Sequence, residues 1–189
     1  MKKVLFLLSL SFITLLTSGC ATFGKPKEID PATGRIKTQS IYGQVKPTVL
    51  RSDSIHIGTY RDMILVLGGD DFVVQQTINF GFFKEVVTRE QLEQKLIRDK
   101  KTDIVSDVSG LLSWKKVADN YKPFLVLKPA IRREGRDTFM KFTVYAADTA
   151  TQVFEAEIEM DFVWKGINDD IVFYPLYNSF IDWVKAQKE

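Results

Sequence analysis

Two pairs of adjacent carboxylates, Asp70-Asp71 and Asp169-Asp170, one histidine and one arginine cluster are the residues of this chain with chemistry to offer. Two carboxyl groups can hydrolyse a glycosidic bond when they converge on it from either side. Neighbours in sequence point apart on most backbones, so Asp169-Asp170 in "KGINDDIVF" reads better as a helix cap that complements the helix dipole. His56, in "SDSIHIGTY", is the sole histidine. It excludes a multi-histidine zinc site and would have to carry any Ser-His-Asp triad alone. Alternating with Ile55 and Ile57, it is expected to be a half-exposed strand residue. Arg132, Arg133 and Arg136 gather at an expected hairpin edge, where charge either guards an open strand or meets an anionic polymer.

The one cysteine stands at the end of "MKKVLFLLSLSFITLLTSGC". Lys2 and Lys3 precede an apolar run, Val4–Leu16, which is short for a span of about 20 apolar residues and has the flanks of a secretory signal. Thr17-Ser18-Gly19-Cys20 resembles the lipobox of bacterial lipoproteins, with Thr17 where an aliphatic residue is usual. The resemblance implies cleavage before Cys20, a diacylglyceryl thioether and an N-acylated amine there, and, with Ala21 following, an outer-membrane address. Three acyl chains exceed the two-signal threshold for stable anchoring. Cys20 so used leaves no disulfide, thiol nucleophile or cysteine metal site. The chain has 26 basic and 24 acidic residues, and Lys2 and Lys3 account for the whole excess. A neutral mature body gives no electrostatic case for nucleic acid.

The stretch "LGGDDF", Leu67–Phe72, is one residue from the signature of diguanylate cyclases. A cyclase needs GTP, metals and further acidic residues upstream; a secretory signal removes the chain from GTP. The stretch is therefore read as a strand-ending Gly-Gly turn followed by a helix start at Asp70 or Asp71.

The elements that must position these residues follow from periodicity. "ATFGKPKEIDPATGRIKTQ", Ala21–Gln39, is polar, holds Pro26, Pro31, Gly24 and Gly34, and shows no apolar period, so it is expected to be a flexible tether. "DMILVL" suits a buried strand, "DDFVVQQTINFG" a helix stopped by Gly81, and "FFKEVV" a strand. Thr88 with Gln91 makes a capping box, and Val87 with Leu92 a hydrophobic staple, ahead of the helix "REQLEQKLIRDK". "SGLLSWKKVADNY" is a second helix. Beyond Pro123 the period becomes two, giving three strands, "FLVLKPAI", "TFMKFTVYAA" and "TQVFEAEIEMDFVW", with Glu155, Glu157 and Glu159 on one wet face. A helix from about Pro175 to Lys185 closes the chain, Pro175 being tolerable only in its first turn.

Gly81, Phe83, Val86, Val87, Arg89, Leu92 and Leu96 resemble the strand-to-helix junction of the curli-secretion-channel lipoproteins and their relatives, the lipoprotein activator of penicillin-binding proteins and the amino-terminal domain of the Tol translocation protein. The resemblance runs from Asp62 to Val184 and rests on core and cap residues. It departs at the hairpin turn "TATQ", where the family commonly has Thr-Gly, and no segment has the alternation of a pore-forming hairpin.

The expected organisation is a signal peptide over 1–19, a lipidated tether over 20–44 and one α/β domain (of the α+β kind, a mixed sheet with helices packed on it) over 45–189. The expected function is a non-catalytic accessory lipoprotein that binds the membrane through Cys20 and other envelope proteins or its own copies, with no cofactor and no metal. Two alternatives are a periplasmic hydrolase built on Asp169 and Asp170, and a binder of anionic surface polysaccharide through Arg132, Arg133 and Arg136.

Overall fold

A computed structural model of the chain describes residues 24–38, 46–68, 71–104, 107–160 and 169–189. In chain order its strands are β1 (Ile29–Asp30), β2 (Arg35–Ile36), β3 (Thr48–Ser52), β4 (Met63–Val66), β5 (Glu85–Val87), β6 (Leu125–Glu134), β7 (Asp137–Ala146) and β8 (Thr151–Glu159). The helices are α1 (Asp71–Phe80), α2 (Arg89–Arg98), α3 (Leu111–Asn120) and α4 (Phe173–Ala186), with a 3-10 turn at Ile57–Tyr60. The fold is a single α/β domain on a six-stranded mixed sheet of order β3-β8-β7-β6-β4-β5. β4 runs parallel to both β5 and β6, while β6, β7, β8 and β3 are antiparallel.

Helices lie on both faces. Ile64, Leu125, Leu127, Phe142, Val144, Phe154 and Ala156 turn one way, onto Phe72 and Val73 of α1 and the apolar side chains of α4. Met63, Leu65 and Val126 turn the other way, onto Leu92 and Leu96 of α2 and Trp114 and Val117 of α3. β4 is buried on both faces, which is why it reads as an unbroken apolar run. α4 is buried nearly all round, with Pro175 in its first turn where a missing N–H costs nothing.

The junction into α2 forms as its residues require. Thr88 Oγ1 accepts the Gln91 N–H at 3.3 Å and Gln91 Oε1 accepts the Thr88 N–H at 2.9 Å. The far end of α2 is a Schellman turn: the Lys101 N–H reaches Leu96 O at 2.8 Å and the Lys100 N–H reaches Ile97 O at 3.1 Å. That turn holds Lys100 at φ 54°, a place glycine usually fills.

Three expectations need correction, and one strand was not foreseen. The segment expected to be a tether is not free over residues 24–38: it folds into the β1–β2 hairpin and lies along α4, with Ile36 only 3% exposed. His56 is not in a strand; it makes an isolated bridge to Lys188 and precedes the 3-10 turn. The glutamate face of β8 is not uniformly wet, because Glu157 is 9% exposed and Glu155 half-buried, each in an ion pair, and only Glu159 is exposed. The far edge of the sheet is β3, a strand with no regular apolar pattern in the sequence.

Candidate functional site

Asp169 and Asp170 were expected to cap the closing helix; the N-cap position is Val172 instead. Val172 makes no side-chain cap bond, and Asp169 gives its main-chain carbonyl to the Tyr174 N–H at 2.8 Å. The two carboxylates hold the N-terminal segment. Asp169 Oδ2 accepts the Gly24 N–H at 2.5 Å, and Asp170 Oδ1 pairs with Lys27 Nζ at 2.6 Å. Lys27 Nζ also lies over the Tyr174 ring, 4.6 Å from its centroid. Tyr174 donates its hydroxyl proton to Lys25 O at 3.0 Å. Burial, and then the charges of Asp169 and Asp170, push its phenol up to about 12. The pair is thus spent on structure and on a backbone amide, which is the work of a clasp.

Two buried amides complete this clasp, and sequence reasoning missed both. Gln76, fully buried in α1, accepts the Lys27 N–H and donates to Lys27 O, each at 2.9 Å. Asn178, 4% exposed in α4, accepts the Ile36 N–H at 2.8 Å and donates to Ile36 O at 2.9 Å. Each side-chain amide imitates a strand partner for one residue of a chain that arrives alone. The signal was a polar residue on an apolar stripe: Gln76 shares its helix face with Phe72 and Val73.

The arginine cluster is not brought together. Adjacent strand residues face opposite ways, so Arg132 and Arg133 leave opposite faces of β6. Arg132 is clamped by Glu157, Nε to Oε2 at 3.0 Å and Nη2 to Oε1 at 2.8 Å, and by Glu134 at 2.5 Å. Its guanidinium stands 4.3 Å from the centre of the Phe139 ring. This bidentate, stacked arrangement uses most of the donor fork. Arg133 and Arg136 are exposed, and among the described residues neither forms an ion pair. They sit at the tip of the long β6–β7 hairpin, whose β6 strand has, among the described residues, no strand partner on its other edge beyond Leu127. Pro129, which lacks an N–H, stands early in that open stretch and blunts it.

Leu67 and Gly68 leave β4 and Asp71 opens α1, which agrees with a strand-ending turn; Gly69 and Asp70 lie outside the described residues, as do Cys20 and the signal segment. Where β4 departs from β6, an apolar cleft of about 220 Å³ opens, lined by Leu67, Val73, Pro129, Ile131, Met140 and Phe173 among others. It is smaller than an ordinary small-molecule pocket, roughly 300–1,000 Å³, and has no titratable side chain in its wall. A larger hollow of about 680 Å³ lies between the hairpin, β3 and α4. Thr38 and Lys46 border it, and residues 39–45 between them lie outside the described residues, so no site is assigned there.

The candidate site is therefore the end of the molecule where the N-terminal segment enters. Phe173 lines the cleft and its neighbour Tyr174 receives Lys25; the Phe72 ring meets both, at 4.6 and 6.2 Å between centroids. Among the described residues no group of three or more His, Cys, Asp or Glu could hold a metal ion, and no helix is long and apolar enough to cross a membrane.

No protein-family model and no curated relative matches the sequence. Among solved structures, the chain is similar to the LpoB C-terminal domain from Escherichia coli, with 14% identity, 55% of this chain and 84% of that one covered and a TM-score of 0.35. It is also similar to the PelC dodecamer from Paraburkholderia phytofirmans, with 11% identity, 75% and 99% covered and a TM-score of 0.42. The kinship expected from the junction at 81–96 thus meets a weak fold-level likeness and nothing finer, and no residue role or partner is carried over.

Proposed function

We propose that this chain is a non-catalytic accessory lipoprotein of the bacterial envelope, anchored through Cys20 at the periplasmic face of the outer membrane. It would serve envelope assembly, secretion or cell-wall synthesis by binding other envelope proteins or its own copies. The observation that carries the reading is the clasp: Asp169 and Asp170, the carboxylates best placed in sequence for hydrolysis, hold a backbone amide and a lysine of the chain's own N-terminal segment. An acid–base pair needs a cleft in which both groups meet a substrate and one stands near its working protonation state. The lipobox residues support the anchor, and the neutral mature body supports protein partners over nucleic acid.

Two experiments test it. Cys20→Ser should leave unprocessed precursor in the inner membrane; normal maturation and outer-membrane fractionation of that variant would sink the anchor. Asp70→Asn, Asp71→Asn, Asp169→Asn and Asp170→Asn, each at matched protein level, should complement a deletion strain. Asn keeps the acceptor oxygen of a clasp or cap but can neither give nor take a proton at useful pH. A folded variant that fails to complement would mark that carboxylate as catalytic.

A further inference from the structure

The N-terminal segment does more than lie on the domain; it fixes where the domain is tied. Gly24 is bonded to Asp169 beside the start of α4. Four peptide steps separate Cys20 from Gly24, and they span at most about 14 Å. A lipid on Cys20 would therefore hold this end of the molecule within about two headgroup layers of the hydrocarbon core, each layer being roughly 5–7 Å deep. The surface at this end has a definite chemistry. Pro129, Ile131 and Arg133 alternate onto the same side of β6, with Ile131 paired to Met140 and Arg133 to Thr138. Ile131 is 54% exposed in the wall of the apolar cleft; Arg133 follows it two residues on along β6 and Arg136 lies in the hairpin turn, and both are exposed, as is Lys25 in the entering segment. The carboxylates of this end are Asp71 at the start of α1, Glu134 and Asp137 at the hairpin turn, and Asp169 and Asp170 of the clasp. Glu134 is held by Arg132 and Asp170 by Lys27, while Asp71 and Asp137 are exposed to water.

From this juxtaposition we infer that the cleft end of the domain is a membrane-docking surface, whose occupant is the phospholipid leaflet that carries the Cys20 anchor. Ile131 and the cleft wall enter the headgroup–acyl boundary. Arg133 and Arg136 meet anionic headgroup phosphates, where long side chains keep their charge in the wet layer while their stems lie in apolar surroundings. One anchor point alone would let the domain swing; a second contact so close to it turns the domain to one orientation at small entropic cost. The β3 edge and the faces of α2 and α3 are then left to the periplasm and its proteins. The inference rests on the lipoprotein reading, which a separate measurement tests.

The experiment uses the full mature lipoprotein in vesicles of phosphatidylethanolamine and phosphatidylglycerol. With Cys20 acylated, Ile131→Cys, Arg136→Cys and Leu112→Cys each supply the only free thiol for a nitroxide spin label. Leu112, 78% exposed on α3, belongs to the helix layer on the opposite sheet face and is the control. At 131 the label should be several-fold more accessible to oxygen and several-fold less accessible to a water-soluble nickel chelate than at 112, with 136 intermediate. Replacing Arg133 and Arg136 together by Glu should reverse most of that protection. Mass spectrometry of the same protein reads the anchor independently: a Cys20 without its diacylglyceryl group removes both readings. A lipidated protein whose position 131 stays open to the nickel chelate overturns docking alone. So does a position 131 closed to both reagents, since protein would then cover it.

Discussion

Lys100 and Ala150 both stand at φ 54°, each forced there by the geometry around it rather than by its own preference. Lys100 sits where the Schellman turn ends α2, and Ala150 in the turn between β7 and β8, at the very stretch "TATQ" where the family resembled in sequence has Thr-Gly. A side chain in the left-handed region costs roughly 1–2 kcal/mol, partly offset by the lower entropy of the unfolded chain relative to glycine. Lys100→Gly and Ala150→Gly should each stabilise the fold by about 0.5–1 kcal/mol, read as a raised denaturation midpoint with unchanged slope. At the other end of α2, Thr88→Ala should cost about 1 kcal/mol, because the Gln91 amide loses its acceptor. Leu92 is fully buried, and Leu92→Ala should cost about 2–5 kcal/mol. These positions were legible before the structure because a cap is a local event: Thr88, Gln91, Val87 and Leu92 lie within six residues and need nothing else to meet.

The N-terminal segment was not legible, for the opposite reason. Its polar composition, with Pro26, Pro31, Gly24 and Gly34, is that of a chain that buries little, and indeed few of its side chains are buried. What is bound is its backbone, by Gln76 across 49 residues and by Asn178 across 142. No periodicity within the segment can announce partners that far away. Asn178→Leu should therefore cost about 1–3 kcal/mol, the penalty of leaving the buried Ile36 N–H and carbonyl without partners. Limited proteolysis should then cut within residues 24–38 before the domain unfolds. Acid should loosen the same element. The Ala32 N–H, ahead of the Lys37 charge and the Thr33 hydroxyl, holds the Asp30 carboxyl below its ordinary value of 3.8. A lowered carboxyl stabilises the fold above that value and ceases to do so as pH falls through the folded one. Hydrogen exchange at Gly34, whose N–H bonds Asp30 O, should thus quicken below about pH 3.8, ahead of the sheet amides. Asp30→Asn should abolish that step.

For the molecule as a whole, the sequence carried five of the six strands of the main sheet, the four helices and their order, because hydrophobic period and caps are written locally; β3 was not legible. It did not carry the division of labour between the two sheet faces. β4 has no polar face to show which helix pair it serves, and the assignment of Asp169 and Asp170 turned on contacts with Gly24 and Lys27 that only the folded chain makes. The layer around α4 is the larger of the two. Phe142, Phe154, Phe173, Tyr177, Phe180 and Trp183 form one continuous ring cluster on that helix, with Tyr177 donating to Thr77 at 3.0 Å deep in the core. A chain truncated after residue 172 should therefore lose cooperative unfolding altogether, not merely some stability; a sharp thermal transition in that fragment would show that the other layer suffices.

The position of α4 also sets a schedule. Synthesis runs from the N-terminus, so the helix that one sheet face and the N-terminal segment both await is made after every strand it covers. Until about residue 184 has emerged, Ile64, Leu125, Phe142 and Phe154 have only α1 to cover them, and the segment at 24–38 lacks the α4 side of its groove. Closing contacts over so long a stretch of chain is intrinsically slow. A chain built in this order stays extensible until that helix arrives, and only then do the residues at 24–38 meet the groove that binds their backbone.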